Sequence, residues 1–301
     1  MKIVVTGGTG FIGKSLVRRL KEKGHSVIVL TRQVKLEKKS KDVRTLRWDG
    51  KNSGGWVHEV EGVDAFINLA GESIQGRWNN EKKENILSSR LDSTRCIVQA
   101  IRLMEKKPHV LIHASAVGYY GDVPEGEVTE SSPKGSGFLA DVCAQWEQEA
   151  LKAQDLGVRT VIFRLGVVLS KRGGALKKML PPFRFFLGGP LGNGTPWFPW
   201  VSRRDVRRAL LFALEKPELS GPVNLVAPQS VTMNEFSTVL GRVLGRPSSL
   251  RVPAWMCKIL FGEMSQVMLE GQKVVPKKLL DAGFRFRFPT LYEALASTLS
   301  H

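Results

Sequence analysis

The feature that most limits what this chain can become is its first thirteen residues. Lys2-Ile3-Val4-Val5-Thr6 is a β-branched apolar run of the kind that forms a buried strand. It stops at Gly7-Gly8-Thr9-Gly10-Phe11-Ile12-Gly13, and Leu16 and Leu20 follow at helical spacing among charges. The pattern predicts strand, tight turn, helix. Such a turn leaves the first backbone N–H groups of the helix free for an anion, and glycine lets that anion approach where a Cβ would collide. Read as Gly8-x-Gly10-x-x-Gly13 or as Gly7-x-x-Gly10-x-x-Gly13, the stretch has the context of a dinucleotide fingerprint. The alternative is a glycine turn that binds nothing.

A second strand over 26–30 ends at Thr31-Arg32, about twenty residues after the glycines, where an acidic residue would meet the ribose hydroxyls of NAD and an arginine accommodates a 2′-phosphate. Arg32 therefore favours NADP(H), since a guanidinium binds phosphate through charge-assisted contacts and a carboxylate would repel it. Lys35 and Lys38 stand close enough in sequence to add to that field.

The 301 residues suffice for a large core, and no apolar run approaches a membrane span. The amino terminus enters a strand without a charged leader and cleavage site, so a cytoplasmic protein, or one already processed, is expected. Cys96, Cys143 and Cys257 are odd in number, widely spaced and lack a CxxC pattern, and the five histidines lack paired spacing. Neither a disulfide framework nor a metal site is indicated. The net charge of +17 is scattered along the chain without an RNA-binding aromatic signature or helix-turn-helix pattern, which argues for a phosphate-rich small ligand over a specific nucleic-acid or membrane partner.

Further on, a third strand near 45–48 ends in Asp49, which either meets the adenine or caps a turn. A fourth strand runs into Asn68-Leu69-Ala70-Gly71-Glu72, and its end lines the cofactor cleft if the sheet is parallel and open. Glu72 reads as a substrate or ribose ligand or as a loop charge. A helix is predicted over 82–105, with Arg90 in its first half, then a strand over 110–114 followed by Ser115-Ala116-Val117-Gly118-Tyr119-Tyr120-Gly121. A helix over 139–156 and a strand over 160–164 come next. After Leu169 the alternation breaks down into a Gly/Pro-rich passage with aromatics. A helix over 203–215, a strand over 222–226 and a helix over 233–244 started by Thr232 or Asn234 follow, and the rest is helical and mixed. The fold class is α/β, a Rossmann doubly wound parallel sheet with a small carboxy-terminal α/β lobe. Residues 1–169, with 201–230 returning to them, form the nucleotide-binding domain; 170–200 and 231–301 form the substrate lobe.

These stretches together resemble an extended short-chain dehydrogenase/reductase: the opening Thr-Gly-Gly-Thr-Gly-Phe-Ile-Gly, Asn68-Leu69-Ala70-Gly71, 115–121, Arg164-Leu165-Gly166-Val167-Val168, and Trp200-Val201-Ser202-Arg203-Arg204-Asp205-Val206. Arg77-Trp78-Asn79, Ser89-Arg90, Trp146-Glu147, Phe198-Pro199-Trp200 and Leu269-Glu270-Gly271-Gln272-Lys273-Val274 are similar to its NAD-dependent epimerase/dehydratase-like, or cell-division-inhibitor-like, branch. The resemblance implies NADP(H) held by Gly7, Gly10, Phe11, Ile12, Gly13, Thr31, Arg32, Leu69, Ala70 and Gly71. It also implies that Arg90 and Arg164 face the cofactor or the bound substrate. A homodimer through helices flanking the sheet is common in that family.

One departure bears on the chemistry. The family's Tyr-x-x-x-Lys, in which lysine and cofactor lower the tyrosine pKa, is absent from the whole chain, and Ala116 holds the aligned serine position with Ser115 one residue earlier. Tyrosine near its ordinary pKa of about 10 is a poor base at neutral pH. Ser115 and Tyr120 are the candidate catalytic residues that remain, with Tyr119, Glu72, Asp141 and Cys143 near the same cleft. Two readings stand: an NADP(H)-dependent oxidoreductase or epimerase acting on a polar, nucleotide-sugar-like substrate, and a non-catalytic NADP(H)-binding regulator that signals cofactor state to a protein partner.

Overall fold

Seven short strands pair in parallel into one sheet. Its order from edge to edge is Gly221–Leu225, Arg159–Leu165, Val110–Ala116, Ala65–Asn68, Lys2–Thr6, Ser26–Thr31 and Val43–Arg47. The computed structural model describes residues 1–32 and 43–300. Side chains alternate across the strands. Ile3 and Val5 therefore join Leu16, Leu20, Val206 and Leu210 in one core, while Val4 joins Ile28, Phe66, Ile97 and Ile101 in the core on the other face. Both faces are covered by helices, which is why the central strands read as continuous apolar runs.

The first strand lies between Ser26–Thr31 on one side and Ala65–Asn68 on the other. The chain reverses its direction of travel across the sheet there, and the crevice beyond the carboxyl ends of the strands at such a point is where open α/β sheets bind ligands. The glycine turn sits at its centre.

Element boundaries depart from the sequence reading where side-chain hydrogen bonds and prolines intervene. The long helix spans Asn80–Leu103 because Asn79 caps it, its side chain accepting from the Lys82 N–H. The next long helix is Phe138–Leu151, and the turn Gln154–Leu156 is a separate 3₁₀ segment. The passage after Leu169 holds a helix, Gly174–Arg184, and a short strand, Trp200–Ser202, paired with Val167–Leu169. Pro181 and Pro182 lie inside that helix's final turn, a composition that reads as loop. The strand Val123–Val128, which pairs with Gln272–Val274, is hidden by its Glu-Gly-Glu centre. Of the two start signals before Met233–Leu244, Thr232 is the one used, forming a reciprocal capping box with Glu235.

A third core gathers Leu169, Leu176, Leu180, Trp200, Phe236, Leu240, Leu291 and Leu295. It ties the segment after Leu169 to the two helices near the carboxyl end.

Candidate functional site: the strand-end crevice

The turn between the first strand and the helix Gly13–Glu22 is set by backbone contact. Gly7 has φ +66°, and a Cβ there would lie 2.5 Å from the carbonyl oxygen of Leu69 at the end of the fourth strand. A Cβ on Gly13 would lie 2.1 Å from the carbonyl oxygen of Gly7. The Gly10 N–H donates to that same oxygen at 2.9 Å. Helix, turn and neighbouring strand thus interlock at van der Waals distance. No side chain caps the helix at Ile12, and while the Lys14 N–H donates to the Gly10 carbonyl and the Ser15 and Leu16 N–H groups to the Ile12 carbonyl, those of Phe11, Ile12 and Gly13 have no acceptor among the described residues and stand open to an anion. The Phe11 ring lies against Gly173 and Gly174, filling the space a Cβ on either would take. This brings Gly7, Gly10, Phe11, Ile12 and Gly13 together with Leu69, Ala70 and Gly71.

Thr31 ends the second strand, and Arg32 follows it, exposed and near enough to Glu72 to act on its carboxylate. Lys35 and Lys38 lie outside the described residues. Arg90 reaches up from the long helix, donates from Nη1 to the Ile86 carbonyl at 2.9 Å, and sets its guanidinium 5.0 Å from the Trp146 ring centroid. A Cβ on Gly71 would sit 3.4 Å from that guanidinium, so glycine here lets Arg90 lie against the strand end. Burial pulls the Arg90 pKa down from its ordinary value, with Glu72 acting the other way. Glu72 accepts from Lys82 Nζ at 2.9 Å. That ammonium holds its carboxyl below the usual range, with Arg32 and Arg90 adding to the effect. Asp49 caps a turn, accepting from the Lys51 and Asn52 N–H groups at 2.8 and 2.9 Å. Those bonds hold its pKa down to about 2.

At the other end of the crevice the structure brings Ser115, Tyr120 and Arg164 together around an acid, Glu147. Ser115 Oγ donates to Glu147 Oε1 at 2.6 Å. Arg164 grips the same carboxylate through Nε at 2.9 Å and Nη2 at 2.7 Å, and its Nη1 donates to the Tyr120 hydroxyl at 2.9 Å. That hydroxyl in turn donates to Asn224 Oδ1 at 2.6 Å. Burial pushes the Tyr120 pKa up to about 12 against the opposing pull of Arg164. Burial alone would lower the Arg164 pKa, but hydrogen bonds and charge from Glu147 raise it overall. Burial likewise lifts the Cys143 thiol to about 11. Arg164 is therefore turned toward Glu147 and the two tyrosines rather than toward the glycine turn.

Tyr119 differs from its neighbour. Its ring stacks on the Arg164 guanidinium at 3.5 Å, it is half-buried, and its hydroxyl meets no partner among the described residues. Asp141 lies outward, ion-paired with Lys134.

Two groups central to this geometry are not among the candidates read from sequence. Glu147 is one, although it occupies the buried face of Phe138–Leu151 with Ala140, Cys143 and Ala150. A carboxylate at helical spacing among apolar residues is a signal that could have singled it out. The other is a buried polar chain beneath the strand ends. Thr6 Oγ1 donates to Asn68 Oδ1 at 2.6 Å, and Asn68 Nδ2 contacts Thr94 Oγ1 and His113 Nδ1, each at 3.2 Å. His113 is fully buried, its Nε2 has no partner, and burial lowers its pKa to about 3. These residues are scattered over four elements, and no spacing within the sequence links them.

Comparison with known proteins follows the same outline. The model of the NAD dependent epimerase/dehydratase family matches residues 3–226, and a domain of unknown function, DUF1731, matches 252–298. The chain is 42% identical over 309 residues to the epimerase family protein SDR39U1 homolog, chloroplastic, of Arabidopsis thaliana, covering 99% of this chain and 87% of that protein. It is similar to the crystal structure of human epimerase family protein SDR39U1 (isoform 2) with NADPH, at TM-score 0.88 and 34% identity, covering 100% and 99% of the two chains. A nucleoside-diphosphate sugar epimerase from Corynebacterium glutamicum matches at TM-score 0.79 and 31% identity, over 99% of this chain and 58% of that one.

Proposed function

The chain belongs to the NAD dependent epimerase/dehydratase family, and from that premise we propose that it binds NADP(H) across its strand ends and carries out reduction or epimerisation of a polar, nucleotide-sugar-class substrate. The observation that carries the cofactor assignment is the glycine turn, where the Cβ positions of Gly7 and Gly13 are filled by backbone ahead of an uncapped helix. A pyrophosphate fits that donor set. Arg32, exposed after the second strand, would hold a 2′-phosphate, and Arg90 backs the chain at Gly71. The human relative crystallised with NADPH supports the same choice, and the relative described as a sugar-nucleotide epimerase supports the substrate class.

When bound, the nicotinamide supplies hydride acceptance and donation. This chain's own residues orient the substrate and handle the proton. Glu147 holds Ser115 and Arg164 in place, and Asn224 and Arg164 occupy the Tyr120 hydroxyl, so Tyr120 serves as a positioning residue. The Tyr119 hydroxyl, which meets no partner among the described residues, is the group left to give or take a proton.

A second reading, an NADP(H)-binding regulator without turnover, draws on the missing Tyr-x-x-x-Lys and on the closed hydrogen bonding of Ser115 and Tyr120.

Titration of purified protein with NADPH and NADH tests the proposal. Arg32→Asp is expected to weaken NADPH binding by about a hundredfold, the scale of a lost bidentate charge-assisted contact, and to change NADH binding little. Failure of the wild type to bind either nucleotide overturns it. With NADPH bound, reduction of a carbonyl or sugar-nucleotide substrate selects the enzyme. A bound but inert cofactor across that panel selects the regulator.

A further inference from the structure

Most of the large apolar side chains that face solvent fall in two short stretches, 185–187 and 250–260. In the helix Ala254–Phe261, Trp255, Ile259 and Leu260 are 61%, 64% and 59% exposed, with Met256 beside them. Their spacing puts them on one side of the helix, and Cys257 is buried beneath it. Leu250 is exposed as well, and the segment that leads from it to the helix runs along residues 188–192. The Leu250 N–H donates to the Gly188 carbonyl at 3.2 Å and the Val252 N–H to that of Pro190 at 3.0 Å. Phe185, Phe186 and Leu187, exposed after the helix Gly174–Arg184, come immediately before that pairing. Leu250 and Trp255 are five residues apart, so their Cα atoms lie within about 18 Å. Apolar groups gathered in this way on a surface mark a place where something else binds.

Backbone strain falls on the same face. Phe186 has φ +63°, the one positive φ outside glycine among the described residues. Its N–H donates to the Phe183 carbonyl at 3.1 Å and the Leu187 N–H to that of Pro182 at 2.8 Å, the pairing of a helix end whose left-handed position is ordinarily glycine. A bulky side chain there costs the fold free energy. The ring is more than half exposed, with the Arg246 guanidinium 4.6 Å from its centroid. Charge follows the same outline. No acidic residue occurs over 156–204 or 236–262. Arg184, Arg246, Arg251 and Lys258 stand among the exposed apolar residues, and none of the four is ion-paired among the described residues. The acids that bound the second stretch are engaged elsewhere, Glu235 in the cap with Thr232 and Glu263 with Lys83.

We infer that this face docks on an anionic lipid surface. Cations that hold no acid of their own complement a negative surface, and the apolar tips beside them enter the boundary between headgroups and acyl chains. Among the described residues no helix is long and apolar enough to cross a membrane, so the contact is with the surface. A second copy of the chain is a poor occupant, since the patch would meet its own cations. A nucleic-acid strand asks for stacking platforms, which Leu187, Ile259 and Leu260 do not provide. Side chains this exposed stand out from the surface and form no groove for a protein segment. Charge scattered along the sequence argues against a membrane partner; folding brings two of its basic stretches together around apolar side chains.

The test is co-sedimentation of the full chain with vesicles of equimolar phosphatidylglycerol and phosphatidylcholine, and of phosphatidylcholine alone, at about 0.15 M salt, where distant charges are screened. Binding to the mixed vesicles is expected, and binding to phosphatidylcholine should be at least about tenfold weaker. Trp255→Ser and Ile259→Ser should each weaken it about tenfold, the scale of an apolar side chain partly removed from water. Lys258→Gln should weaken it about fivefold, the worth of one cation at an anionic surface. Lys51→Gln, on the turn capped by Asp49, should leave binding within about twofold. Phe186→Gly should weaken binding about tenfold while melting no lower than the wild type, which separates docking from folding. Brominated acyl chains should quench tryptophan emission in the wild type and less in Trp255→Phe. Failure to bind, equal losses from Lys51→Gln and Lys258→Gln, or full binding by Trp255→Ser, Ile259→Ser and Phe186→Gly overturns the inference. So does a stable dimer that the apolar variants dissociate, or tighter binding to polyglutamate than to the mixed vesicles. Vesicle binding is measured without nucleotide, so a failure of NADPH to bind counts against the proposed function and leaves this result standing.

Discussion

Glu147 and Arg164 meet as a bidentate pair under the strand ends, at 2.9 and 2.7 Å, with their side chains 5% and 3% exposed. Removing one partner leaves the other charge buried and uncompensated, whereas replacing both with apolar residues of similar volume removes the desolvation cost as well. Arg164→Met and Glu147→Leu should each cost about 3–5 kcal/mol in urea unfolding, and the double variant should lie well above either single one. Additive losses would show that the two residues act independently.

Tyr119 and Tyr120, adjacent in sequence, should separate cleanly. Tyr120→Phe leaves Asn224 Oδ1 and Arg164 Nη1 short of a buried partner and should destabilise the fold by about 1–3 kcal/mol. Tyr119→Phe removes a hydroxyl with no partner and should leave stability within about 0.5 kcal/mol, while lowering any NADPH-dependent turnover about a hundredfold. Thermal unfolding and single-turnover kinetics on the same preparations would check both.

The three-glycine turn offers a graded series. Gly13→Ala places a methyl 2.1 Å from the Gly7 carbonyl oxygen and should cost about 2–3 kcal/mol of stability together with nucleotide binding. At Gly10 the nearest atom to a Cβ is 3.1 Å away, so Gly10→Ala should fold nearly normally and act chiefly on NADPH affinity. Paired melting curves and NADPH titrations distinguish the two outcomes.

His113 makes a pH prediction. Its pKa is lowered from 6.5 to about 3 by burial. As pH falls below 6.5 the unfolded chain takes up a proton that the folded protein does not accept until about pH 3. Stability contributed by the neutral ring is thus complete above pH 6.5 and declines through that window, by up to about 1.4 kcal/mol per pH unit. Urea unfolding between pH 7 and pH 4 should show this component, and His113→Gln should lack it.

Much of the sheet was legible because the central strands are apolar runs that give way to glycine or small residues, and helices such as Arg203–Glu215 carry a clear apolar stripe. The glycine turn was legible for a related reason: Gly10 and Gly13 close on Gly7 within a few residues, whereas the contact of Gly7 with Leu69 lies between elements far apart in sequence. Arg90 was singled out through the resemblance, since its packing against Gly71 joins two elements far apart in sequence. Glu147 went unread because its partners, Ser115 and Arg164, lie 32 and 17 residues away. The helix Gly174–Arg184 went unread because tertiary packing of Leu176, Leu180 and Phe183 outweighs the prolines in its last turn.

The interlock of Gly7 with Leu69 and of Gly13 with Gly7 is made of main-chain atoms, while the opposite end of the crevice is held by side chains. Drift in side-chain identity therefore has unequal reach. It can alter the end built on Ser115, Glu147 and Arg164 without touching the main-chain contacts of the glycine turn. One end of the crevice is thus fixed by the course of the main chain and the other by which side chains it carries.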